Sequence, residues 1–175
     1  LPSHTSLNIY IRNTHVVTVS DARTADQCVV QTGGHLVVTS TFTLNDGTGD
    51  DLLVEGTFTV TSGTVDGAGT VIIAAGGGIW NWNGGTLAGS VVYTINLTGT
   101  LNMGGGTKDL RGTVVINNYC HSYWTAGDLR FYDGSPSFIN WNTFYITGAV
   151  NITNFNVPVN AYFINKAGAT LLKTN

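Results

Sequence analysis

Ten acidic side chains are the first place to look for chemistry in this 175-residue chain. Cleaving a polysaccharide needs two carboxylates close together as general acid and base, usually with a basic partner. The acids are Asp21, Asp26, Asp46, Asp50, Asp51, Glu55, Asp66, Asp109, Asp128 and Asp133, and they are scattered, mostly in glycine-rich stretches. The nearest to a constellation are the pairs Asp109/Arg111 and Asp128/Arg130. Their spacing would allow them to share a face one repeat apart. Solvated turns with cross-turn ion pairs explain them more simply, and the expectation is that the chain has no catalytic residues.

Metal and ligand chemistry is similarly sparse. The run Asn45-Asp46-Gly47-Thr48-Gly49-Asp50-Asp51 offers oxygen ligands on a flexible loop, so Asp46, Asp50 and Asp51 are weak candidates for Ca²⁺. Their spacing matches neither the EF-hand nor the nonapeptide calcium repeat. His4, His15, His35 and His121 show no paired zinc-ligand spacing, although His15 and His35 fall at similar phases. No metal or other cofactor is expected. Aromatic residues crowd the C-terminal half, and Trp80, Trp82, Trp124 and Trp141 are carbohydrate-binding candidates if strand alternation turns them outward. Core packing competes with that reading. Thr-x-Thr runs at 39–43 and 57–61 would make an ice-binding ladder if they lay in adjacent turns of one sheet. Asn96-Leu97-Thr98 and Asn151-Ile152-Thr153 are glycosylation sequons, with Asn151 the better placed of the two.

These side chains need a scaffold, and composition narrows it. Charged residues make up only 10% of the chain, with 23 Gly, 26 Thr, 18 Val and 17 Asn against one Glu and one Met. Such a chain lacks the residues that build amphipathic helices. Hydrophobic residues reach 42% and the net charge is −3, which argues against disorder. There is no basic patch for nucleic acid and no apolar run near the ~20 residues of a membrane span. Leu1-Pro2-Ser3 in place of a start methionine reads as a processed product or fragment. Residues 1–175 read as a single domain.

Short alternating strands separated by Gly and Asn recur about every 22 residues. Aliphatic anchors mark eight units: Ile11, Val30, Val54, Ile73, Ile95, Ile116, Ile139 and Ile164. A second glycine turn and strand follows within the unit, as in SGTV at 62–65 and NGGTL at 83–87. The period is too short for a propeller blade and fits one turn of a β-solenoid. The predicted fold is therefore all-β, a parallel β-helix of about eight coils. An antiparallel sandwich is the competing architecture. Against it stand Asn96, Asn117, Asn140 and Asn165, each following an anchor isoleucine, which are expected to stack as an asparagine ladder. Val29, Leu36, Val38, Leu53, Phe58, Ile72, Val92, Leu101, Val115 and Phe138 are expected to face inward. Cys28 and Cys120 would lie four coils, roughly 19 Å, apart, too far for a disulfide. They are expected to be free or paired between molecules.

The stretches NWNGGTLAGS…LTGTLNMGGGTKDLRGTVVIN (81–117) and YWTAGDLRF resemble the Gly/Thr/Asn-rich β-solenoid repeats of bacterial, Bacteroidetes-like, surface proteins and adhesins. HVVTVSDARTADQCVVQTGGHLVVTSTFTLNDGTGDDLLVEGTFTV (15–60) is similar to the opening coils of that class. The resemblance implies a right-handed parallel β-helix with a structural or adhesive role, secreted or at a bacterial cell surface, without catalysis. Neither LPSHTSLNIYI nor GATLLKTN carries a polar cap. The partners expected are therefore further copies stacked head to tail, or neighbouring coils of a longer chain. Glycans bound through aromatics are the alternative, and a polysaccharide-degrading enzyme comes third.

Overall fold

The computed structural model describes residues 8–45, 47, 49–155 and 160–174, and these form strands and turns with no helix. Parallel pairing alone joins the strands into three sheets, of eight, eight and seven strands. Each turn contributes one strand to each sheet in order. Thr70–Ile73, Ile79–Trp82 and Gly85–Leu87 make up one such turn. The result is a three-sided β-solenoid of about seven turns with a repeat of ~22 residues. At ~4.8 Å per strand, eight strands stack to roughly 34 Å.

The core is built in columns. In the first sheet Ile11, Val30, Val54, Ile73, Ile95, Asn118, Asn140 and Asn165 stand above one another in register. Five of these are the aliphatic anchors of the sequence, and three are asparagines that occupy the same inward place. The predicted ladder is thereby corrected. Asn117 lies opposite Thr94 and Ile139, on the outer surface. Asn96 lies beyond the strand Val92–Ile95, in a turn. Anchoring on the dipeptide Ile-Asn put three units out of register, because Ile139 and Ile164 point outward while Ile116 points inward two residues before Asn118. A slip of one residue exchanges the faces of a strand. For the same reason Val29, Leu53, Ile72, Val92 and Val115 are half-buried on the outside, whereas Leu36, Val38, Phe58, Leu101 and Phe138 are in the core.

The core changes character along the rod. The first turns are filled mostly by Val, Leu and Ile, with Ala25, Cys28 and Phe42 among them. Phe58, Trp80, Trp82 and Tyr93 then form one buried stack, with Trp80 6.1 Å from Phe58, 5.6 Å from Trp82 and 4.8 Å from Tyr93. Trp80 Nε1, Trp82 Nε1 and Tyr93 OH have no hydrogen-bond partner there. Each such orphan costs ~1–3 kcal/mol, and the large apolar area of the rings offsets it. Beyond this stack come the asparagines.

A glycine column closes one corner. Gly67, Gly89, Gly112 and Gly134 lie in successive turns, all with positive φ between 68° and 116°. A Cβ on Gly112 would collide with the carbonyl oxygen of Gly89, and one on Gly134 with that of Gly112. Only glycine combines this backbone with so close a stack.

Candidate functional site

The richest surface lies in the C-terminal turns, where the first sheet bends into the second. Tyr119, Trp141 and Lys166 each follow one of the inward asparagines, so the strand alternation turns them outward at the same corner. Tyr119 and Trp141 stack at 5.5 Å with 17° between their planes, and Lys166 Nζ lies 4.8 Å from the Trp141 ring on the next turn. Four residues further on, in the second sheet, Tyr123 and Tyr145 stack at 5.1 Å and 9°. His121 lies beside Tyr145, 6.3 Å between ring centroids. Tyr119, Tyr123 and Trp141 are 36%, 44% and 44% exposed. The rings stand on one another along the rod axis. One face of Tyr119 and of Tyr123, and both faces of Trp141, are therefore covered by neighbouring turns.

Beneath this surface runs a buried polar chain with one direction. Ser122 Oγ and Cys120 Sγ donate to Asn118 Oδ1 at 2.8 and 3.2 Å. Asn118 Nδ2 donates to Asn140 Oδ1 at 2.9 Å, and Asn140 Nδ2 to Asn165 Oδ1 at 2.8 Å. Asn140 Nδ2 also reaches Asn142 O at 2.6 Å, and Asn165 Nδ2 reaches Ala169 O at 2.8 Å. Asn118, Asn140, Cys120 and Ser122 are completely buried, so the bonds satisfy groups that water cannot reach. Burial raises the Cys120 thiol above its ordinary pKa and pushes Cys28 up to about 12. Both cysteines are free, and their burial removes them from pairing between folded molecules.

The other sequence candidates fall as follows. Trp80, Trp82 and Trp124 are core residues, at 0%, 0% and 1% exposure, and cannot stack on a sugar; of the four tryptophans only Trp141 is on the surface. Alternation puts all three on the inward phase, which the repeat would have given had its register been right. Asp109 is bound by Arg130, not flanked by Asp128, with both guanidinium bonds short at 2.7 and 2.9 Å. Arg111 lies over the Tyr132 ring at 3.6 Å and 3.7 Å from Asp133, and Tyr132 stacks on Phe155 at 4.8 Å. Asp51 is buried and accepts from Thr70 N at 2.6 Å; burial first, and then the nearby Asp26 charge, raise its pKa against the Thr70 bonds. Asp50 is exposed, and Asp46 lies outside the described residues. Among the described residues no three His, Cys, Asp or Glu side chains come together as metal ligands.

His15 and His35 are one position out of register, since His35 faces Val16, and His35 Nε2 instead meets Thr59 Oγ1 at 2.9 Å. His4 lies outside the described residues. Thr41–Leu44 and Thr57–Val60 belong to different sheets, which breaks the threonine ladder. Asn96 is half-buried in a turn beside Leu97, itself 65% exposed. Asn151 is exposed, with its N–H and Nδ2 donating to Asp128 Oδ1 at 2.8 and 3.2 Å.

One residue escaped the sequence reading. Lys108 occupies an inward position between Gly85 and Leu129 and is completely buried. Its Nζ donates to the carbonyls of Gly104, Gly106 and Ala126 at 2.6, 2.9 and 2.9 Å. Burial pushes its pKa down to about 8, against the pull of Asp128. The only hint was the lysine's position in GGTKDL, where other units carry an apolar or small residue.

No protein-family model, curated protein or solved structure matches the chain.

Proposed function

We propose that this chain is a non-catalytic structural or adhesive rod, secreted or displayed at a cell surface, either as a subunit of a stacked fibril or as a stalk segment of a larger surface protein. What supports the reading is how the outward side chains spend their chemistry. Tyr119 is taken up by Trp141, Trp141 by Lys166, and Tyr123 by Tyr145. Asn102 donates to Asn81 at 2.9 Å, and Asp109 is bound by Arg130. In each case the partner is the equivalent residue one turn away. Groups so engaged stiffen the stack and are not offered to a substrate.

The test is electron microscopy and solution scattering of the purified chain, with assays on acidic polysaccharides alongside. Rods with a ~4.8 Å axial repeat and no turnover are expected. Turnover lost in Asp109→Asn would overturn the non-catalytic reading. A second reading rests on the exposed edges of Tyr119, Tyr123 and Trp141, which form an aromatic patch two turns deep. Oligosaccharide binding lost in Trp141→Ala would make the protein a carbohydrate-binding module.

A further inference from the structure

The outer face of the first sheet carries no charge. Its strands, from Ile9–Ile11 through Thr70–Ile73 and Val92–Ile95 to Tyr162–Asn165, contain no Asp, Glu, Lys, Arg or His. The charged residues that strands do carry outward, Arg23, Asp66, Asp109 and Arg130 among them, lie mainly on the third sheet. On the first sheet Val29, Leu53, Ile72 and Ile139 stand in one outward column, which Thr94 and Asn117 interrupt. Val92 and Val115 stand beside it in a second. All six aliphatic side chains are half-buried. The turns above and below cover their flanks, and their outer ends meet solvent. A contiguous apolar surface of this kind marks an interaction site, and neither the buried polar chain nor the aromatic corner uses it.

Period, charge and area point to one occupant. The columns repeat every ~4.8 Å, so the gaps between successive side chains repeat at that spacing too. A surface that fills every gap shares the period, and a second copy of this chain has it by construction. Charge then selects the face. The third sheet would bring the Asp109–Arg130 pair and Arg111 against aliphatic carbon, and the second would bring His35, Asn81 and Asn102, each losing water without gaining a partner. The same face of a second copy buries no charge. Its hydroxyl and amide, at Thr94 and Asn117, both donate and accept and so are able to pair with their own kind. Strands of up to four residues span roughly 13 Å and the stack roughly 34 Å, so a pair of faces buries about 900 Å² in all. Stable interfaces bury ~1,200–2,000 Å², so this contact is a reversible one.

We infer that the outer face of the first sheet pairs with the same face of a second copy, so that two rods lie side by side with their first sheets ~10 Å apart. The inference goes beyond the proposed role, which concerns stacking along the axis, and rests on the rod alone. The contact is isologous and closes at two copies. It thickens a rod without lengthening it.

Sedimentation equilibrium of the whole chain from roughly 5 to 500 µM, a range that brackets a contact of this area, should show a reversible monomer–dimer equilibrium. Small-angle scattering over the same range should show the cross-section growing while the length stays constant. Ile72→Lys sets an ammonium on each half of the contact and should weaken the dimer at least ~tenfold. Val115→Lys repeats the test on the second column. Thr86→Lys, outward on the third sheet beside Asp109, should leave the dimer unchanged. All three positions point away from the core, so circular dichroism of the variants should match the parent chain. A monomer throughout, a dimer of doubled length, or a dimer that both first-sheet variants leave intact would overturn the inference. So would a monomeric chain that binds phosphatidylcholine vesicles and loses them in Ile72→Lys, which would give the face to a lipid surface. Those results leave the rod reading as it stands, whereas scattering incompatible with a β-rod would sink both.

Discussion

Burying Lys108 makes a prediction about alkaline stability whose sign can be worked through. Its pKa is about 8 in the folded chain and 10.5 in the unfolded one. Below pH 8 both states are protonated and stability does not respond. Between pH 8 and 10.5 the unfolded chain holds a proton that the folded chain has released, so stability rises with pH. At 1.36 kcal/mol per unit, Lys108 adds about 1 kcal/mol from pH 8 to 9 and a similar amount from 9 to 10. The thiols work the other way. Cys28 stays protonated in the folded chain up to about 12, against 9.0 when unfolded, and Cys120 is raised in the same direction. By the same relation Cys28 costs a few tenths of a kcal/mol between pH 8 and 9 and about 1 between 9 and 10, and Cys120 adds to that loss. Above pH 10 Tyr93, whose buried hydroxyl is held protonated, adds to the loss. Stability should therefore rise slightly from pH 8, level off between pH 9 and 10 and then fall. Urea titrations followed by tryptophan fluorescence across pH 7–11 measure this. Lys108→Met should abolish the rising limb, and the wild type should gain about 1 kcal/mol on that variant between pH 8 and 9. If the difference stays flat through that window, the three carbonyls hold the ammonium charged, and burial does not govern its proton.

Three further outcomes follow from the columns. Asn118→Leu removes a fully buried amide that makes four hydrogen bonds to three neighbours. It should cost at least ~2 kcal/mol, whereas Asn117→Leu on the outer surface should change stability by less than ~0.5 kcal/mol; equal effects in urea melts would refute the register. Gly112→Ala, at φ 68° and against the Gly89 carbonyl, should lower stability by ~2 kcal/mol or more, read as a shift in the melting midpoint. Cys28 and Cys120 should resist a thiol reagent in the native chain and react together in denaturant, and fast native reaction would contradict their burial.

The architecture was legible because a solenoid repeats its turn chemistry. Glycine turns before Thr64–Gly67, Gly85–Leu87, Lys108–Leu110 and Leu129–Phe131 fixed where the third sheet begins. The phase of each strand was harder to read. In Val114-Val115-Ile116 and Leu52-Leu53-Val54 both faces are aliphatic, so alternation carries no sign, as is common in parallel sheets. The asparagines misled because polarity argued for a corner, while their place in the column made them core. Their burial depends on an amide partner one turn away, a relation that no single repeat contains. The candidate surface was visible as a crowd of aromatics but not as a sorted one. Which rings went in and which went out depended on that same register. The glycine column at 67, 89, 112 and 134 was the unused signal, for it keeps the true period through the region where the asparagine motif loses it.

That column also makes a whole turn a natural unit of inheritance. A change in chain length of a few residues would bring some other residue onto Gly89 or Gly112, where a side chain cannot be accommodated. Loss or duplication of about 22 residues would return glycine to glycine and leave all three sheets in step. A lineage built on this corner can alter the reach of its protein by counted increments while its cross-section stays fixed. It would measure distance with the gene much as a ruler is divided into marks.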